Sequence, residues 1–167
     1  DLLFFSWLAQ DTDRPALVAV REAWGFTGAP EIAYSTPVFG LYDPAVLAKT
    51  RRGVDASKQS WAALVDGDVS RLDSSVDHLK TVAQALHKLD GDSRPLVSAL
   101  GHVADHVSRG GRVPPSAIAM ETATALLFLE VMLVEFQPQD AERAARMRKL
   151  AERLEAVMQG AEAPPLE

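Results

Sequence analysis

Between residues 69 and 86, Val69, Leu72, Val76, Leu79, Ala83 and Leu86 fall alternately three and four positions apart, with Val82 and Leu89 beside them. This rhythm puts the apolar side chains on one stripe of an α-helix and makes a narrow packing seam of the kind helical bundles use. A half-buried strand would need alternation at every second residue, and no strand-length run of that kind competes.

The same helical spacing recurs along the chain, and its punctuation divides it. Pro15 can sit in the first turn of a helix that reaches about Trp24, with Gly25 just past its end. Gly28, Pro30, Pro37 and Gly40 then break the period, so residues 26–42 read as a long loop pinned by aromatics such as Phe39 and Tyr42. Asp43-Pro44 is a strong restart, a carboxylate cap followed by proline at the first helical position. The helix it opens carries Val46, Leu47, Val54, Trp61, Leu64 and Val65 and stops near Gly67; Asp68 or Ser70 caps the next. The turn Asp90-Gly91-Asp92-Ser93 leads to a helix with Leu96, Leu100, Val103 and Val107 on one side, ended by Gly110-Gly111. Pro114-Pro115-Ser116 starts another. Residues 117–136 are apolar nearly all the way round, which predicts a central helix. After Pro138 and Asp140 comes a last amphipathic helix through Met147, Leu150, Leu154, Val157 and Met158. The short connections between the later helices predict antiparallel packing.

The fold class expected is therefore all-α: an antiparallel bundle of four or five long helices. Residues 1–159 form a single helical domain, in which the N-terminal helices and loop of 1–42 pack on a bundle of 43–159. Residues 160–167 have the composition of a linker to a following domain. The opening Leu2-Leu3-Phe4-Phe5 run is cut short by Asp11, Asp13 and Arg14 and cannot cross a bilayer. Both ends read as interior stretches of something longer.

Composition removes several functional classes. The 167 residues hold no cysteine, which excludes disulfides and cysteine-ligated zinc or iron–sulfur centres. A net charge of −6, without a dense Lys/Arg tract, argues against nucleic acid as a partner. Phosphate-binding glycine loops are missing, and so is the Gly-x-Ser-x-Gly elbow of the α/β-hydrolases. Neither His-Glu-x-x-His nor paired Glu-x-x-His is present, so no metal or other cofactor is expected. His102 and His106 lie one turn apart but lack a third ligand and read as solvated.

Histidine phosphotransfer (HPt) is the chemistry that a four-helix bundle carries most directly. It asks for an exposed mid-helix histidine, with lysine three residues on and glycine next to it. His78 lies mid-helix on the flank of the seam, yet Thr81 and Val82 follow at those positions and Lys80 points away. His87 is followed by Asp90 and Gly91, a negative charge where a positive one is wanted. His106-Val107-Ser108-Arg109-Gly110 keeps the spacing with arginine, but in the last turn of its helix. His78 and His106 are the two candidate phosphoacceptors. Among the carboxylates, Glu130 falls on the apolar side of its helix while Glu121 and Glu135 share a more polar side with Thr124. A buried Glu130 would need a partner such as Arg143, Arg146, Arg148 or Arg153.

The stretch Pro114-Pro115-Ser116-Ala117-Ile118-Ala119-Met120-Glu121-Thr122-Ala123-Thr124-Ala125-Leu126-Leu127-Phe128-Leu129-Glu130, with Leu150-Ala151-Glu152-Arg153-Leu154-Glu155, Tyr34-Ser35-Thr36-Pro37-Val38-Phe39-Gly40 and Tyr42-Asp43-Pro44-Ala45-Val46-Leu47, resembles the N-terminal HPt-like region of CheA-type hybrid sensor histidine kinases of the type IV pilus chemosensory system (ChpA/PilL type). The resemblance covers most of the chain. It implies an HPt-like bundle in the cytoplasm, one of several such modules strung ahead of a kinase core in a protein that governs pilus-based motility. Its partners would be other domains of the parent kinase and receiver or adaptor proteins, with no nucleic acid and no membrane insertion. Because every histidine departs from the HPt motif, the expected role is docking or spacing without phosphorelay activity and without catalysis by this fragment. The alternatives are active phosphotransfer through His78 or His106, and a helical ligand sensor with a cavity beside the 26–42 loop.

Overall fold

The computed structural model describes residues 42–137 and 140–165, and all five long elements among them are α-helices. They are α1 (Pro44–Val65), α2 (Leu72–Leu89), α3 (Arg94–Gly110), α4 (Ser116–Val134) and α5 (Ala141–Met158), with short 3-10 turns at Val69–Arg71 and Gly91–Ser93. No strand occurs among the described residues. The expected N-terminal helices, and the 26–42 loop apart from Tyr42, lie outside them.

Aspartates start most of the elements. The Asp43 carboxylate accepts the Ala45 N–H at 2.8 Å ahead of Pro44, and Asp140 accepts the Glu142 and Arg143 N–H groups at 2.9 and 3.2 Å. Asp68 and Asp90 do the same for the 3-10 turns that precede α2 and α3. Each such cap satisfies amides that the first turn leaves without partners. Gly111 closes α3 at φ 59°, in the left-handed region, and its N–H donates to the Val107 carbonyl. These boundaries match the sequence punctuation closely.

The helices close into a ring in the order α1, α2, α3, α5, α4. Ser60 meets His78 while Gly53 meets Val82, so α1 and α2 run antiparallel. Lys58 reaches Glu130 and Arg51 reaches Leu133, while Trp61 reaches Ala119, which sets α4 antiparallel to α1. An odd ring of alternating rods must contain one parallel pair, and here it is α3 and α5: Asp90 and Arg143 meet at one end, His102 and Glu155 near the other. The pair is the exception in an otherwise antiparallel bundle. The short 111–115 connection does not make α3 and α4 close neighbours, because α5 lies between them.

Leucines fill the centre. Leu64, Leu79, Leu86, Leu96, Leu100, Leu126, Leu129, Leu133 and Leu154 are fully buried, with Met147 and Val54. Removing one such side chain to alanine costs about 2–5 kcal/mol. At Gly53 the Val82 side chain of α2 packs close on the α1 backbone, since a Cβ there would meet Val82 Cγ2 at 3.2 Å. Helix α4 departs from expectation. It lies at the edge of the ring against α1 and α5, with Met120, Leu127, Val131 and Val134 exposed. It is also long and apolar enough to cross a bilayer, but its other face is packed into the bundle core.

Candidate functional site

Ionic and polar ties hold the edge helix α4 in place. The Trp61 indole N–H, buried in α1, donates to the Ala119 carbonyl at 3.1 Å. At the other end Arg51 donates from Nε to the Leu133 carbonyl at 2.6 Å and from Nη2 to that of Val134 at 2.9 Å, a cation on the negative end of the helix. Glu121 and Arg153 form a two-pronged pair at 2.7 Å on both arms, and Arg153 also donates to the Pro164 carbonyl. Glu121 holds the guanidinium above its ordinary pKa, against the opposing effect of burial. The proposed linker is thus tied back at Pro164, with Ala163 half-buried beside the core.

This arrangement corrects the reading of the carboxylates. Glu121, expected on the polar side, is the buried one, whereas Glu130 pairs at 2.5 Å with Lys58 of α1 in a half-exposed bridge. None of the four α5 arginines serves Glu130. An apolar helix with no dominant face gives a helical wheel nothing by which to orient it, so the two glutamates were placed the wrong way round.

A second buried ion pair joins the α2–α3 turn to α5. Arg143 Nη2 stands 2.9 Å from Asp90 Oδ2, but the angles fall outside hydrogen-bond geometry, so the two attract as charges rather than as an aligned bond. The guanidinium also donates to the Gln137 carbonyl and lies 4.8 Å over the Phe136 ring, whose edge meets Tyr42. Both side chains are nearly inaccessible, and the pair is structural.

The histidines occupy four different settings. His78 is half-buried in the middle of α2, and its Nδ1 lies 3.0 Å from Ser60 Oγ. Because Ser60 can direct its own hydroxyl proton to the Ala56 or Ser57 carbonyl, Nδ1–H can donate to Ser60, leaving Nε2 as the basic nitrogen. A shallow concavity of about 250 Å³ opens there, lined by Ala56, Gln59, Ala63, Ser74 and Arg71. Arg71 is its cation, but comes two turns ahead of His78 and faces Asp68 at 3.6 Å. His106 is half-buried near the end of α3, in a concavity it shares with Arg109, Gly110, Arg112 and the two prolines. His102 is exposed and bridges to Glu155 at 2.6 Å, and His87 is exposed. His78 and His106 belong to separate sites on different helices.

No protein family, curated protein or solved structure matches this chain.

The most distinctive surface carries no histidine. Met120, Leu127, Val131 and Val134 form an exposed stripe along α4, at 69%, 53%, 72% and 65% exposure. Beside its N-terminal half, Trp61, Ala62 and Val65 of α1 and Ala119, Ala123 and Leu126 of α4 line a shallow apolar groove, with Lys58 and Asp66 at its rim. Scattered apolar residues are ordinary on a protein surface, whereas here four lie along one side of a single helix, with Thr124 between the first two. The sequence reading missed it by assigning the whole run to the interior. The nearly unbroken apolarity was itself the signal, since one face of an edge helix in water is normally polar. The ligand-sensor cavity expected beside the 26–42 loop falls outside the described residues.

Proposed function

We propose that the chain is an HPt-like, phosphorelay-inactive helical module of a cytoplasmic chemosensory histidine kinase controlling pilus-based motility, and that it acts by protein–protein docking within the signalling array. The α4 stripe carries this reading. It is a surface built for contact with another protein, while neither candidate phosphoacceptor combines a mid-helix histidine with a cation one turn on. His106 has arginines around it but stands at a helix end. The resemblance of residues 114–130 and 150–155 to the pilus kinases supplies the setting.

Substituting Val131→Glu in the whole kinase tests it. Expected are unchanged autophosphorylation and loss of clustering and of twitching. Intact clustering with the substituted protein would overturn the docking role.

Active phosphotransfer through His78 is the second reading, favoured by the Ser60 contact, which orients the ring and leaves Nε2 basic. Incubation with the kinase core and ATP distinguishes the two. The inactive reading expects no acid-labile label on this chain; label abolished by His78→Gln would establish the second reading, and label abolished by His106→Gln would move the site to α3.

A further inference from the structure

Resting on the docking role of α4, we propose that the occupant of its stripe is a second copy of this chain, paired antiparallel about a two-fold axis through Leu127.

The spacing is self-complementary. Met120 and Val134 stand seven residues to either side of Leu127, so all three share one line along the helix, with a small drift at each heptad. An antiparallel copy turned about Leu127 sets Leu127 on Leu127, Met120 on Val134, and Val131 beside Thr124, whose hydroxyl already donates to the Met120 carbonyl of its own helix. A two-fold interface requires this reciprocity, each residue meeting a partner that meets it in return.

Charge is arranged to permit the contact. Each copy carries a net −6, yet the stripe itself holds no ionisable group, and Glu130 at its flank is already paired with Lys58. The antiparallel arrangement also opposes the two helix dipoles. It brings the exposed Glu135 of each copy towards the first turn of the other α4, whose amides have no side-chain cap.

Area sets the strength. A stripe of a few hundred Å² on each copy, with its flanks, buries on the order of 1,000 Å² in total, at the lower limit for specific association. The expected dimer is therefore weak, with a Kd of about 10–100 µM. Attached to a kinase that is itself assembled, such a contact gains from local concentration.

Sedimentation equilibrium on the full chain, from about 5 to 500 µM, tests the association. A monomer–dimer equilibrium is expected, with Leu127→Glu raising Kd at least about 100-fold, because it sets two carboxylates on the axis. The absence of native cysteine allows a clean test of geometry. Under mild oxidation Leu127→Cys should crosslink to itself, whereas Met120→Cys and Val134→Cys should crosslink to each other in a mixture and neither to itself. A chain monomeric throughout that range overturns the pairing, whether the stripe then proves to be covered by residues 1–41 or to bind phosphatidylglycerol vesicles. Self-crosslinking at 120 and 134 would equally overturn it, since that reports a parallel pair. If the chain is monomeric but Val131→Glu still disperses the kinase clusters, self-pairing fails and docking stands; intact clusters would remove docking as well.

Discussion

Helices α2 and α4 are of similar length and equally regular, yet they meet water in opposite ways. In α2 the apolar residues are collected on one side, and Leu72, Val76, Leu79, Val82, Ala83, Leu86 and Leu89 are all buried, while Asp73, Asp77, Lys80 and Lys88 face out. In α4 the inner face is just as dry, through Ile118, Ala125, Leu126, Leu129 and Leu133, but its outer face is apolar too. A helix stabilised only by its fold has no use for the second set. Among the described residues, the outer side chains of α4 stay open to solvent.

Substitutions can break that contrast. The largest effects should come from the inner faces: Leu79→Ala in α2 and Leu126→Ala in α4 should each lower unfolding free energy by about 2–5 kcal/mol in urea titrations. Leu127→Ala, measured at a concentration where the chain is monomeric, should change it by no more than about 0.5 kcal/mol. If neighbouring Leu126 and Leu127 cost the same, the division of α4 into two faces is wrong.

The carboxylates sharpen the comparison at a smaller scale. Glu121→Gln leaves the half-buried Arg153 guanidinium short of a counter-charge and should cost about 1–3 kcal/mol. Glu130→Gln, in a pair open to solvent and salt, should cost under about 1 kcal/mol. The reverse order would restore the wheel-based placement of Glu130 in the core.

Smallest is a pH effect at the α2–α3 contact. Lys80, 2.9 Å from Asp105, holds that carboxyl below its ordinary value. A lowered native pKa stabilises the fold above the unfolded value of about 4, and the stabilisation disappears as pH falls through the native one. Asp105→Asn should therefore lower stability slightly at neutral pH, leave it almost unchanged at the acid end where the carboxyl is protonated in any case, and so flatten the acid limb, as read from melting curves between pH 2 and 7. An unaltered acid limb would mean the bridge is not formed in solution.

What the sequence disclosed follows the same divide. The starts at Asp43-Pro44 and Asp140, the stop at Gly111 and the seam of α2 were all legible, because caps and one-sided stripes are local signals with local causes. The α4 assignment was half right: its apolarity fixed a helix but could not say which side was covered, and so misplaced Glu121 and Glu130. Nor could connection length reveal that α5 inserts between α3 and α4. The Ser60–His78 contact joins residues 18 apart on two helices, and no spacing rule anticipates it.

The parallel pairing of α3 with α5 has a consequence for where the described chain enters and leaves the bundle. Four alternating rods would return the chain to the end from which it started. With five, Tyr42 lies beside the C-terminal end of α4 and Met158 near its N-terminal end, so the two are separated by about one helix length, roughly 30 Å. Between Tyr42 and Met158 the chain therefore crosses the bundle from one end to the other instead of doubling back, and its oily flank on α4 lies parallel to that line of travel.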